Sequence, residues 1–367
     1  MSSEFGRVIR VSIFGQSHGE AIGAVIDGLP AGKKIDTARI AAFMARRAPG
    51  GAGATQRKET DRVRIISGLV DGYTCGAPLC GIIENTDVRS GDYKELADVP
   101  RPMHADYPAH VRHNGYNDVR GGGHYSARLT SPLCFAGAVC MQLLEQKGIT
   151  LAGHILAAGN VQDLPFDPVN EDPEVLVRLL QKKLPVIDEA AGEKMLAAAQ
   201  EAREAGDSIG GSVELCVLGL PAGIGEPPFG GVENRLSQAL YAVPAIKAVD
   251  FGCGREAALM RGSEHNDPYT VEGGSIKTLF NRHGGILGGL TTGMPLLLTC
   301  HFKPTPTIAR EQQSVSLSKM EKTVLSARGR HDPCAALRAV PCVEAAAAIA
   351  LYDLYLEAKA HGHPLLA

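Results

Sequence analysis

Asp118-Val119-Arg120-Gly121-Gly122-Gly123-His124-Tyr125-Ser126-Ala127-Arg128 leads through Ser131-Pro132 into the apolar stretch from Leu133 to Leu144. Consecutive glycines free the backbone to bring N–H groups close to a ligand, and Ser131-Pro132 predicts a helix running to about Lys147. Loop N–H groups, the Ser126 hydroxyl and two arginines would then converge near a helix start, an arrangement suited to phosphate. The competing reading is a flexible glycine hinge, disfavoured by the charges that flank it so closely.

Outward from this loop, strands and helices alternate loosely. Strand-like alternation covers residues 7–14, and a second apolar stretch covers 21–26. Asp36 or Thr37 should cap a helix through Arg47, stopped by Pro49-Gly50-Gly51. Helices are expected at 188–205, 232–243 and 340–360, and strands at 211–218 and 291–302. From Thr86 to Thr130 periodicity fails while Gly, Pro, His, Arg and Asp accumulate, which in a compact protein marks a functional or mobile stretch. Neither the pitch of a βαβ barrel nor a fixed repeat is visible, so periodicity reaches only as far as a mixed α+β or layered fold.

The chain has 367 residues, enough for one large domain or two tightly packed ones. Its 44% hydrophobic and 21% charged residues exclude a disordered tail, a coiled coil and a collagen-like rod. It has no tryptophan, 5% aromatics and a net charge of −3, which argues against a protein that coats nucleic acid or an anionic membrane. The nine cysteines form no Cys-x-x-Cys pair and several lie in apolar runs. Reduced, mostly buried thiols are expected, without a disulfide framework or zinc site. No signal-peptide stretch opens the chain, and the apolar run 133–144, the longest by this reading, is too short to span a bilayer. A soluble, cytoplasmic protein is expected.

Four polar clusters stand apart from the periodic segments. Gly15-Gln16-Ser17-His18-Gly19 follows a strand, either as a ligand turn or as a hairpin with a solvated histidine. Arg46-Arg47-Ala48-Pro49-Gly50, with Gln56 to Arg62 beyond, offers guanidinium forks for carboxylate or phosphate, or else a solvated helix end. The third cluster begins Arg101-Pro102-Met103-His104-Ala105-Asp106 and continues through His110, Arg112 and His113 into the glycine loop. A metal on His104, Asp106, His110 and His113 is disfavoured because the nearby arginines would repel it. The fourth cluster pairs Lys303-Pro304-Thr305-Pro306-Thr307 with Gly329-Arg330-His331-Asp332-Pro333-Cys334. In the latter, Asp332-Pro333 could equally serve as N-cap and first residue of the last helix. Together the clusters describe a site for a small molecule with several negative charges, with histidines as proton donors near neutral pH.

At these clusters the sequence resembles the chorismate synthase family. That family carries G-E-S-H-G, R-R-x-P-G, R-P-x-H-A-D, R-G-G-G-R-x-S-A-R, K-P-T-x-[ST] and G-R-H-D-P-C motifs, each with a counterpart here in the same order from Gly15 to Cys334. The resemblance implies a layered β–α–β sandwich core with long active-site loops, one domain over 1–367, and a homotetramer. It implies a lyase that converts 5-enolpyruvylshikimate-3-phosphate to chorismate and phosphate by 1,4-anti elimination with reduced FMN (FMNH2). NADPH enters only if the protein reduces its own flavin; a separate flavin reductase is the expected partner, with no nucleic acid, membrane or metal.

Carried over by position, the resemblance implies His18 as proton donor near the departing phosphate, His104 against the flavin, and Asp332 as the carboxylate that helps take the proton. Ser17, Arg47, Arg101, Ser126, Arg128 and Arg330 would meet the substrate. His104, His124, Tyr125, Ser126, Ala245, Gly288, Lys303, Pro304, Thr305, Pro306, Thr307 and Arg330 would line the flavin site. Four departures from the family pattern bear on flavin affinity and pH profile. Gln16 stands for the usual glutamate, His124 for an arginine, and Pro244 for an asparagine; Gly53 falls where an arginine is expected, with Arg57 nearest. The rival readings are an RNA-binding module built on residues 46–64 and 112–128, and a degenerate family member with a structural role.

Overall fold

The computed structural model describes residues 3–48, 61–85, 95–326 and 332–366. One antiparallel sheet orders β1 (Glu4–Phe5), β2 (Arg10–Gly15), β3 (Ala21–Asp27), β7 (Leu79–Glu84) and β4 (Arg64–Ser67). A second orders β11 (Ile246–Phe251), β16 (Leu296–Phe302), β10 (Gly211–Leu218), β8 (Thr150–Ala158) and β9 (Val161–Gln162). Short ribbons pair β5 (Leu69–Val70) with β6 (Tyr73–Thr74), β12 (Tyr269–Glu272) with β13 (Ser275–Thr278), and β14 (Ile286–Leu287) with β15 (Leu290–Thr291). A fourth ribbon pairs β17 (Gln312–Ser316) with β18 (Glu321–Leu325).

Helices fill the space between the sheets. α1 (Thr37–Arg47), α3 (Thr130–Glu145) and α8 (Ala336–Ala360) pack on one another, α3 against β3 and β7, and α8 against β8 and β10. α6 (Val232–Leu240) lies on α8, and α4 (Pro173–Gln181) and α5 (Glu189–Glu204) cover the second sheet around β8 and β9. α2 (Asp106–Arg112) and the single turn α7 (Gly262–His265) belong to loops. The result is the expected α+β arrangement of sheet, helices and sheet.

The middle layer explains the composition of its helices. Every residue of α3 from Thr130 to Leu144 is buried, because the helix meets α1 and α8 as well as a sheet. Phe135 is fully buried over Gly81 of β7, and a side chain at Gly137 would overlap Ala345, so glycine is what lets α3 and α8 approach. α1 starts as its sequence requires, with Asp36 Oδ1 accepting from the N–H groups of Ala38 and Arg39 at 2.8 and 3.3 Å.

The apolar run 133–144 is not the longest helix-like one: two stretches, Ala127–Glu145 and Ala336–Ala360, are long and apolar enough to cross a membrane. In each, 94% of the apolar window is buried inside the protein, so both are core helices. Other boundaries shift as well. The first long strand spans 10–15 rather than 7–14, the helix at Val232 stops at Leu240, and the expected strand 291–302 splits into β15 and β16.

The last helix begins at Ala336, before the expected Val340 and beyond Asp332-Pro333. Its N-cap, Ala335, makes no side-chain cap, so the capping role read for Asp332 is wrong. The Asp332 carboxylate pairs with Arg338 at 2.6 Å instead.

Candidate active site

The glycine loop supports both candidate histidines. Gly121, Gly122 and Gly123 all adopt positive φ (59°, 84° and 55°), which turns their backbone in a way side-chain-bearing residues resist. A Cβ on Gly121 would overlap the His18 ring and the Ser17 hydroxyl; one on Gly122 would press on His104 at 3.3 Å. The Ser17 N–H donates to Gly123 O at 3.1 Å, tying the turn after β2 to the loop. Ser17 and His18 are 4% and 7% exposed, which excludes the reading of a solvated hairpin histidine. His124 joins the same assembly, its Nδ1 3.0 Å from Gly15 O and its Nε2 2.8 Å from Ser3 Oγ.

His104 is oriented from behind. Its Nδ1 lies 2.6 Å from Asp106 Oδ1, so Nδ1–H donates to the carboxylate and Nε2 is left on the side of Gly122. Asp106 also accepts from Arg101 Nε at 2.7 Å and Nη2 at 2.8 Å. Burial alone would raise the Asp106 pKa, but the bonds from Arg101 and His104 hold it well below the usual carboxylate range. Asp106 is thereby committed to Arg101 and His104, and His113 Nε2 lies 2.9 Å from Tyr125 OH. Among the described residues no group of three or more His, Cys, Asp and Glu could hold a metal ion.

Lys303 to Thr307 close the other side. Arg101 Nη1 reaches Thr307 Oγ1 at 3.4 Å, and Lys303 Nζ donates to Met103 O. The Lys303 N–H donates to Ala245 O at 3.0 Å. Met103 and Ala245 both hold left-handed backbone, at φ 58° and 77°, so Lys303 bridges two strained residues. Burial and the nearby Lys247 lower the Lys303 pKa.

The arginines are less free than sequence suggests. Arg47 and Arg128, 7% and 4% exposed, both bind Asp61, which is itself 2% exposed. Burial opposes ionisation of Asp61, and the two guanidiniums outweigh it and lower its pKa. The pair plus Asp61 therefore carries one net positive charge rather than two. Arg47 Nε also donates to Thr130 Oγ1 at 3.2 Å, and Arg128 Nε to Asn85 Oδ1 at 3.1 Å. Arg338 donates to Asp332 at 2.6 Å and to Arg47 O at 3.2 Å, which links the last motif to the second. Neither the role of Asp61 nor that of Arg338 was read from sequence. A single aspartate in a charged stretch and an arginine inside a helix give no pattern to find.

A cavity of about 520 Å³ opens beside the loop, lined among others by His124, Tyr125, Ser126, Gln238, Tyr241 and Pro244. Small ligands occupy pockets of roughly 300–1,000 Å³. Its largely apolar walls meet the polar loop at His124 to Ser126, which suits a planar ring carrying polar edges. Arg330, Gly53 and Arg57 lie outside the described residues. Gly288 is exposed in the turn between β14 and β15, and no contact among the described residues joins it to His18 or His104.

Fold and site thus define an enzyme for a small polyanion, with a buried histidine, His18, a half-buried one, His104, and paired arginines around a glycine cradle. The family model for chorismate synthase matches residues 9–356. Chorismate synthase from Lancefieldella parvula is 43% identical over 364 residues, covering 96% of each chain. That from Thermococcus kodakarensis is 42% identical over 355 residues, covering 97% of this chain and 98% of the other. A crystal structure of chorismate synthase superposes with a TM-score of 0.74 at 26% identity, covering 96% of this chain and 93% of that one. The chain belongs to the chorismate synthase family, lyases that turn 5-enolpyruvylshikimate-3-phosphate into chorismate and phosphate. An RNA-binding module is accordingly set aside.

Proposed function

We propose that this site binds its phosphate ester together with reduced FMN and eliminates phosphate by the residues named above. The observation that carries this reading is that adjacent residues Gly121 and Gly122 back His18 and His104 respectively. His18, beside Ser17, holds a proton for the departing phosphate. The substrate carries two carboxylates and a phosphate, and Arg47, Arg101, Arg128 and Arg330 meet these anions, with Ser17 and Ser126 as hydroxyl donors. Asp61 limits the charge of the first pair, so substrate anions complete its neutralisation.

His104, His124, Tyr125, Ser126, Ala245, Gly288, Lys303 to Thr307 and Arg330 hold the flavin in this reading. Supporting it are the cavity beside residues 124–126 and the buried Arg338 Nε, which has no hydrogen-bond partner among the described residues. Reduced FMN, when bound, supplies transient electron density to a C–O bond that has no neighbouring carbonyl to activate the departing proton. His104 presents Nε2 as a proton donor that steadies the reduced cofactor. Asp332, held by Arg338, is the carboxylate that helps remove the proton.

The chain functions as a single domain in a cytoplasmic homotetramer. Tyr269, Val271, Ile276, Leu279 and Phe280, exposed around the β12–β13 ribbon, are surface that another copy would cover. Flavin reduction comes from a separate reductase, since no dinucleotide fingerprint follows a strand here. NADPH oxidation by the purified protein with FMN, anaerobically and without a reductase, would overturn that point. The deciding experiment supplies the phosphate ester and reduced FMN under anaerobic conditions and measures released phosphate. Its absence would leave the degenerate, structural member as the correct reading.

A further inference from the structure

The β17–β18 ribbon belongs to neither main sheet, yet the chain enters it from Lys303–Thr307 and leaves it toward Asp332. Between those two points it is pinned to the segment that delivers Arg101. Ser316 Oγ donates to Asp98 Oδ2 at 2.7 Å, and the Ser318 N–H donates to Asp98 Oδ1 at 2.7 Å. The Leu317 N–H donates to Asp98 O at 2.9 Å, and Ser314 Oγ to Pro100 O at 2.5 Å. Beneath them Leu325 packs with Leu96 and Val99 in a small core of its own. The hydrogen bonds from Ser316 and Ser318 hold the Asp98 carboxyl below its ordinary pKa, so it is a charged acceptor at neutral pH.

We propose that Asp98 is a positioning residue: with Ser316 and Ser318 it latches the ribbon to residues 98–100 and so fixes Arg101 and His104 relative to Thr307 and Asp332. The lever is short. Two residues separate Asp98 from Arg101, three steps of ~3.4 Å that reach at most about 10 Å, so slack at the latch passes directly into the site. Arg101 touches the other side of the same ribbon connection through Thr307 and orients His104 through Asp106. A misplacement of about 1 Å can cost ~100-fold in rate, and partial loosening should cost less.

This rests on the proposed roles of His104 and Asp332, so the test carries a readout that does not depend on them. Asp98→Ala, Ser316→Ala and the double variant would be compared with wild type for kcat and KM under anaerobic conditions with saturating reduced FMN. Amide exchange would be followed across residues 99–104, together with thermal midpoint and FMN affinity. We expect each single variant to lose about tenfold in kcat with KM changed less, and the double variant to lose no more than either single. Exchange at 99–104 should quicken at least tenfold while the thermal midpoint stays near wild type, and Asp98→Asn, which keeps an acceptor for the Ser318 N–H, should recover much of the loss. Unchanged exchange, or kcat losses that add in the double variant, would overturn the latch. Quickened exchange with wild-type kcat would overturn its link to the site, and catalytic failure of His104→Ala bears only on the role of His104. If Asp98→Ala does not fold, Ser316→Ala carries the same comparison.

Discussion

Asp61→Asn removes a charge from the centre of a buried triad while keeping the side chain's size. Both guanidiniums that Asp61 neutralises are almost fully buried, so the variant takes away the carboxylate that the two cations share. Removing one partner from a buried ion pair costs about 3–5 kcal/mol, and two pairs share this partner. The loss should appear at neutral pH as a lower urea midpoint, followed by far-UV circular dichroism because the chain has no tryptophan. The folded pKa of Asp61 is depressed, so its contribution is complete above the unfolded value of about 3.9 and is lost as pH falls through the folded value. The wild type should therefore lose stability through that acid window by an increment absent from the variant. Inorganic phosphate should restore the variant more than the wild type, since an anion between Arg47 and Arg128 replaces the missing carboxylate. A variant within about 1 kcal/mol of wild type, or one indifferent to phosphate, would refute the reasoning.

Further outcomes follow from single contacts. Gly121→Ala puts a methyl into the space of the His18 ring at a backbone φ of 59°, and kcat should fall at least tenfold with flavin affinity less affected; wild-type kcat would show that His18 need not stand there. His104→Ala and Asp332→Ala should each depress turnover with saturating reduced FMN, and wild-type turnover in both would remove their assigned roles. His154, fully buried, lies 2.9 Å from both Asp163 and Glu214; burial lowers its pKa, but the two carboxylates outweigh it and raise it. Its stabilisation is complete below about 6.5 and is lost as pH rises through the raised folded value, so urea midpoints should fall over that alkaline window in wild type and stay flatter in His154→Gln; equal slopes would contradict this.

Much of this is legible in the sequence because the motifs are local. Three glycines followed by Ser-Ala-Arg mark a loop and a helix start whatever surrounds them, and Asp36 caps α1 through its own side chain. What failed was equally physical. The Asp332-Pro333 pair satisfies every local rule for a helix start, yet Arg338, six residues on, claims the carboxylate, and the helix begins at Ala336. The helix expected at 340–360 is present, but its earlier start at Ala336 and its near-complete burial depend on α1, α3, α6 and the second sheet closing around it.

The sequence by itself determined the order of six motifs, the α+β character and a site chemistry of guanidinium, imidazole, hydroxyl and glycine. Those depend on residue type and short spacing, which a chain carries with it into any environment. Only the tertiary structure decided how the charges are spent: Arg47 and Arg128, 81 positions apart, meet on Asp61, and His18 and His104 meet neighbouring glycines. Electrostatic partners across such separations are chosen by burial in the packed core, where an unpaired charge is costly, and no local pattern records that choice.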